Sequence, residues 1–148
     1  MSFWDSSALL PRVVEQRPFT SLCRAALRRP GLHAVAFIAR IECRSAIERL
    51  AREGALTAGA RTRAIRSLDS LLAGFDQVAF SGAVDDRALG LLARHGLRSL
   101  DALQRSCALA LRASPSLESV ELVCCDRRLA RAASAEGMSL TIEGLTTR

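Results

Sequence analysis

Four acids in this 148-residue chain occupy positions from which carboxylates can act together: Asp5, Glu42, Asp101 and Asp126. Asp5 closes the apolar segment "SFWD" and Asp126 closes "ELVCCD". Glu42 falls early in "ARIECRSAIERLAREG" and Asp101 early in "SLDALQRSC", each at the edge of a helical apolar face. Any one of them has an ordinary explanation as an N-cap or as a partner for a helix dipole. Four in series suggest more. In a parallel sheet, strand C-termini and helix N-termini share one rim, and ligands bind there where the strand order reverses. Carboxylates gathered on that rim repel one another and raise each other's pKa unless a cation sits among them. All-oxygen ligation suits Mg²⁺ or Mn²⁺ rather than zinc or copper.

The elements that must position these acids follow from periodicity and breakers. The pattern predicts strands over 2–4, 32–37, 77–80, 121–125 and 139–142. It predicts helices over 6–16, 18–29, 38–53, 57–73, 85–94, 99–113 and 126–136. Pro11 bends the first helix or confines it to its early turns, and Pro30-Gly31 stops the second. Ser99 is the expected cap of the helix carrying Asp101. The face Ala39, Cys43, Ala46, Ile47 and Leu50 recurs at helical spacing. Strands interleaved with helices predict a three-layer α/β/α sandwich around a mostly parallel sheet of about five short strands. Residues 1–148 are expected to form a single domain, since no linker or repeat interrupts them.

Composition narrows the chemistry. The chain is 49% apolar and 24% charged, which is globular rather than disordered. The longest stretch without Asp, Glu, Lys or Arg is 30–39, too short for the ~20 residues of a membrane span. The net charge of +6 permits a polyanionic partner, although the arginines are scattered. All 21 basic residues are arginine. The absence of lysine excludes a P-loop and Schiff-base chemistry. It also excludes a receiver-like phosphoacceptor site, and "WDSSA" lacks the DxD of haloacid-dehalogenase-like phosphatases. No GxG, HExxH or GxSxG occurs, and His33 and His95 are not at zinc-ligand spacing. Cys23, Cys43, Cys107, Cys124 and Cys125 form an odd set without CxxC or an export signal, so reduced thiols in a cytoplasm are expected. Cys124 and Cys125 read as small buried hydrophobes.

In series, these residues resemble the PIN-domain ribonucleases, specifically the VapC-type toxins of bacterial toxin–antitoxin pairs. "FWDSSALL" fits an opening strand ending D-[ST]-[SN]-x-L, and the segments carrying Glu42, Asp101 and Asp126 follow in order at fitting spacing. The resemblance implies a PIN-like fold and a metal-dependent endoribonuclease. Asp5, Glu42, Asp101 and Asp126 would be its catalytic residues and would hold Mg²⁺ or Mn²⁺; Ser7 would support a ligand or a water by hydrogen bonding. Metal-activated water would cleave RNA to leave a 5′-phosphate and a 3′-hydroxyl. A cognate antitoxin, a homodimer and a cytoplasmic location are implied with it. Apolar surface on 57–73 at Ile65, Leu68, Leu71 and Leu72 suits either the dimer or an ordinary core helix. Two positions depart from the pattern. Cys124 stands where the family carries a hydroxyl, and Arg105 and Ser106 follow Asp101 where the family is small and apolar. Arg105 is expected to pair with Asp101 at i,i+4 or to lie on the surface. The departures sustain an alternative, a weakly active or non-catalytic PIN fold kept for complex formation.

Overall fold

The computed structural model describes residues 1–115 and 117–142. Among them, five strands form one sheet: β1 (Ser2–Trp4), β2 (His33–Ala36), β3 (Asp76–Val78), β4 (Glu121–Val123) and β5 (Ser139–Leu140). The order is β3-β2-β1-β4-β5, and every pairing is parallel. The chain builds from β1 through β2 to β3, then crosses to β4 on the other side of β1. The strand order therefore switches between β1 and β4. The helices are α1 (Ser6–Val13), α2 (Phe19–Leu27), α3 (Ala39–Arg52), α4 (Ala58–Leu72), α5 (Gly82–His95), α6 (Ser99–Arg112) and α7 (Arg127–Ala135). Contacts join α1 to α2, α3 and α4, while α6 packs with α5, α7 and β2. This is the predicted α/β/α sandwich, with a sheet that is entirely parallel among the described residues.

The middle strand shows why both faces are covered. Successive strand residues point to opposite faces, yet Phe3 and Trp4 are both 0% exposed. Trp4 also buries a polar atom, which is satisfied: Nε1 donates to Ser2 Oγ at 3.0 Å, and Ser2 Oγ lies 2.7 Å from His33 Nδ1. The Trp4 ring meets His33 and Phe75 edge-on, with centroids 5.9 and 5.8 Å apart. His33 is thus spent on the core of the sheet.

The strands are shorter than their apolar runs. The expected strand over 121–125 stops at Val123, and that over 32–37 contracts to His33–Ala36. The run over 77–80 forms Asp76–Val78, and that over 139–142 pairs only at Ser139–Leu140. α1 ends at Val13 rather than at residue 16, since Pro11 lies inside it and Val14 is already extended. α5 begins at Gly82, ahead of the expected start at residue 85, because Ser81 Oγ caps it by accepting from the Val84 N–H at 3.3 Å. Ser99 is the first residue of α6 rather than its cap; Arg98 holds the cap position without a side-chain bond. In α4, Leu68 is buried and Ile65, Leu71 and Leu72 pack against the core, so the chain itself covers the apolar surface expected there.

Gly96 ends α5 in the left-handed region at φ +56°, with nothing within 4 Å of an added Cβ. Gly96→Ala therefore costs backbone strain alone, about 1 kcal/mol. Gly82→Ala meets equally open space without a left-handed φ. It stabilises the fold by up to about 1 kcal/mol through the unfolded chain. Urea unfolding of both variants beside the parent checks the opposite signs.

Candidate active site

Asp5 follows the last residue of β1, and its backbone N–H donates to Val123 O at 3.0 Å, extending the ladder toward β4. Its carboxylate caps α1, Oδ2 accepting from the Ser7 N–H at 2.8 Å. Asp126 lies just beyond β4 and caps α7, its Oδ1 accepting from Arg128 N–H at 2.8 Å and Leu129 N–H at 3.0 Å. The two acids therefore sit beyond the C-terminal ends of neighbouring strands, at the switch in strand order. Glu42 is in the first turn of α3, which follows β2 on the other side of β1. Asp101 is in the first turn of α6, which packs on β2 and α7.

The charges of the four acids are linked in a chain: Asp101 and Asp126 act on Asp5, Asp5 and Asp101 act on Glu42, and Asp126 acts on Asp101. Asp5 is only 4% exposed. Burial raises its pKa, hydrogen bonds from Ser7 oppose the rise, and the charges of Asp101 and Asp126 add to it. Glu42 is pushed up to about 7 by burial, with the charges of Asp5 and Asp101 adding against hydrogen bonds from Gln104 and Ser6. Asp101 is raised by burial and then by Asp126, against Arg98 and Arg128. The four acids singled out in the sequence are thus brought to one rim.

Convergence is not ligation. Among the described residues, no group of three or more His, Cys, Asp or Glu side chains is arranged to hold a metal ion. Asp5 and Asp126 are turned onto helix caps, and the Glu42 carboxylate accepts from Gln104 Nε2. The donor set itself fits a hard divalent cation, being all carboxylate oxygen, with three of the acids raised first by burial and further by one another's charge. Ser7 acts where the sequence suggests and in one further way. Its hydroxyl supports the Asp5 carboxylate, and its Oγ accepts from the Cys125 N–H at 2.9 Å. This joins the β1–α1 and β4–α7 loops.

Gln104 escapes a reading of the sequence based on charge. It is 1% exposed, and its Oε1 is buried without a hydrogen-bond partner among the described residues. Its position three residues after Asp101, on the same side of α6, is the signal that could have found it. Arg105 overturns both expectations for it. It is 0% exposed, and Nη1 donates to Leu129 O at 3.0 Å rather than pairing with Asp101. Nε and Nη2, the edge that forks onto carboxylates, are buried without a hydrogen-bond partner among the described residues. Burial pushes its pKa down to about 10, with the nearby Cys124, Glu136 and Asp5 opposing. Ser106 is also buried, its hydroxyl donating to Val84 O at 2.5 Å. Cys124 points to the site side of β4: it is 2% exposed, and Sγ donates to Asp126 O at 3.7 Å.

A parallel α/β sandwich with a carboxylate-rich rim at its switch point is the architecture these residues define. The PIN-domain family model matches residues 3–135, and the chain belongs to that family. PIN domains are generally nucleases and typically use divalent metal ions. Among solved structures, a toxin–antitoxin complex from Klebsiella pneumoniae is similar, with a TM-score of 0.67 at 17% identity over 97% of this chain and 100% of that one. PAE2754 from Pyrobaculum aerophilum gives a TM-score of 0.61 at 21% identity over 88% of this chain and 78% of that one. At such identities the likeness is one of fold. Comparison with curated proteins returns no match.

The raised acids make a prediction about the metal-free protein. Glu42 binds a proton more tightly folded than unfolded, so its contribution to stability is present at low pH. It is lost as pH rises from about 4.5 to about 7. Asp5 and Asp101 shift in the same sense. Thermal melting across this range in a chelator is expected to show falling stability. Glu42→Gln flattens the slope, and Mn²⁺ restores stability at the upper end.

Proposed function

We propose that the chain is a metal-dependent endoribonuclease that acts as the toxin of a cytoplasmic toxin–antitoxin module. The observation that carries this reading is the gathering of four carboxylates at the β1/β4 switch point, where burial and the charges of neighbouring acids raise Asp5, Glu42 and Asp101. These four residues would hold Mg²⁺ or Mn²⁺. When bound, such an ion supplies Lewis acidity, lowering the pKa of water and offsetting charge on phosphoryl oxygens. The carboxylates repel a phosphodiester by themselves, so their role is to hold positive charge where the phosphate must lie. Ser7 positions Asp5 and the Asp126 loop, and Gln104 positions Glu42. Burial around Asp5 excludes water from one side of the site.

RNA fits the surroundings. Arg127, Arg128 and Arg131, with His95, line an open groove that begins at the residue after Asp126. Guanidinium groups there would hold the phosphate backbone without reading sequence. With few aromatic residues, 4% of the chain, base stacking contributes little. The antitoxin partner is supported by the toxin–antitoxin complex among the similar structures. A homodimer belongs to the same reading; light scattering at micromolar concentration tests it. Among the described residues, no helix is long and apolar enough to cross a membrane.

A second reading, a PIN fold kept for complex formation, is favoured by one feature: Arg105 puts a buried cation close enough to Asp5 to act on its charge. Asp5→Asn separates the two. Asparagine caps a helix as well as aspartate does, so the fold is retained. The charge that would hold the cation is lost, and Mn²⁺-dependent cleavage of a fluorescent RNA is expected to fall to background. Unchanged cleavage by folded Asp5→Asn protein excludes this metal site.

Cys124 offers a gain-of-function test. A threonine hydroxyl donates more strongly than a thiol to the neighbouring Asp126 carbonyl and can also accept. Cys124→Thr is expected to raise cleavage by up to ~10-fold, within the range of changes behind metal ligands. Cys125→Thr, on the alternate face, is expected to bring no such gain. Initial rates across a Mn²⁺ titration compare the two.

A further inference from the structure

The five cysteines are free thiols, and two of them face each other across the fold. Cys23 in α2 and Cys125 in the β4–α7 loop, 102 residues apart, hold their sulfurs at 3.5 Å. That is about 1.5 Å beyond the length of a disulfide bond. Cys23 is fully buried, while Cys125 keeps part of its surface in solvent. The pair has a cationic neighbour. The charge of Arg12 in α1 bears on Cys23, and Arg12 Nε is buried without a hydrogen-bond partner among the described residues. The Cys23 thiol is held below its usual pKa, first by its hydrogen bond with Cys125 and then by Arg12, against the effect of burial. The two sulfurs thus lie within bonding reach of one another. The hydrogen bond to Cys23 and burial push the Cys125 thiol up, so what favours Cys125 toward oxidant is its exposure. Nothing in the proposed cleavage chemistry uses either residue.

We propose that Cys23 and Cys125 are a disulfide-forming pair, closed by hydrogen peroxide, that ties α2 to the loop bearing Asp126. The reaction has two steps. The exposed Cys125 sulfur, on losing its proton, attacks peroxide to give the sulfenic acid; the S–O bond forms as the O–O bond breaks, and the departing hydroxide takes up that proton as water. Attack by the Cys23 sulfur on the Cys125 sulfur then forms the S–S bond and breaks the S–O bond. The departing hydroxide takes the Cys23 proton and leaves as a second water. Two thiols and one peroxide yield one disulfide and two waters.

The position of the bond gives it a consequence. Asp126 follows Cys125 directly, and the Cys125 N–H holds Ser7 Oγ at 2.9 Å. Closing the sulfurs therefore displaces the segment that joins the two acid-bearing loops. This control of the acid rim rests on the nuclease reading; formation of the disulfide does not.

The test treats the folded chain with hydrogen peroxide, alkylates it in denaturant and maps the peptides by mass spectrometry. Alkylatable thiols are expected to fall from five to three, with one peptide linking Cys23 to Cys125. The crosslink is absent in Cys23→Ala and Cys125→Ala; if either variant fails to fold, the parent's peptide map decides alone. Five thiols still alkylatable, a crosslink through Cys124, or Cys125 halted as sulfinic acid would each overturn the pairing. RNA cleavage is the second readout. Crosslinked protein loses cleavage and dithiothreitol restores it, whereas Cys23→Ala keeps its cleavage in peroxide. Crosslinked protein that cleaves at the reduced rate overturns the control of the rim. A chain inactive even when reduced counts against the nuclease reading, and the peptide map still decides the disulfide.

Discussion

Negative charge held out of water at the β1/β4 junction is the constraint on which the rest of the structure depends. Asp5 is nearly inaccessible and has the charges of Asp101 and Asp126 bearing on it. A buried carboxylate with like-charged neighbours is costly in the ionised state. The fold offsets part of this cost with oriented dipoles. Helix N-termini supply N–H groups to Asp5 and Asp126, and Gln104 supplies an amide to Glu42. These donors are too few to cancel the charge, and the pKa values of Asp5, Glu42 and Asp101 stay raised.

Two of the acids serve the local structure and the rim with the same atoms. Asp5 and Asp126 each begin a helix by capping it, and each capped helix starts beyond the end of a parallel strand. The ordinary explanation of an aspartate after a strand therefore holds here, and the proposed functional role would draw on the same carboxylates. Capping needs only a hydrogen-bond acceptor, which asparagine also provides. Holding a divalent cation needs the formal charge. The distinction between the two roles is thus chemical rather than positional.

Arg105 shows how the interior answers that charge. A fully buried guanidinium with one edge unpaired among the described residues is costly in isolation. Its charge interaction with Asp5 links its cost to that of the acid rim. It sits where small apolar residues would be expected after Asp101, so the α6 interior of this chain carries a cation in place of a hydrocarbon. The basic groove beginning at Arg127 is a separate, solvent-facing feature.

The sequence by itself determined the element order, the alternation of strand and helix and the parallel sandwich. Each rests on local rules: period-two and period-3.6 apolar patterns, prolines and glycines as breakers, and acids as caps. The positions of Asp5 and Asp126 at strand–helix junctions, and of Glu42 and Asp101 in first helical turns, were legible for the same reason. Strand ends were less legible, because apolar runs such as 121–125 continue past the last ladder pair at Val123. Only the tertiary structure decided which way α6 turns its polar residues. Gln104 and Arg105 look like surface residues by type, and they are buried because α6 lies between β2, α5 and α7. The approach of Cys23 to Cys125 was equally out of reach of local rules. It is a contact across 102 residues, made when α2 and the β4–α7 loop are brought together by packing rather than by any pattern along the chain.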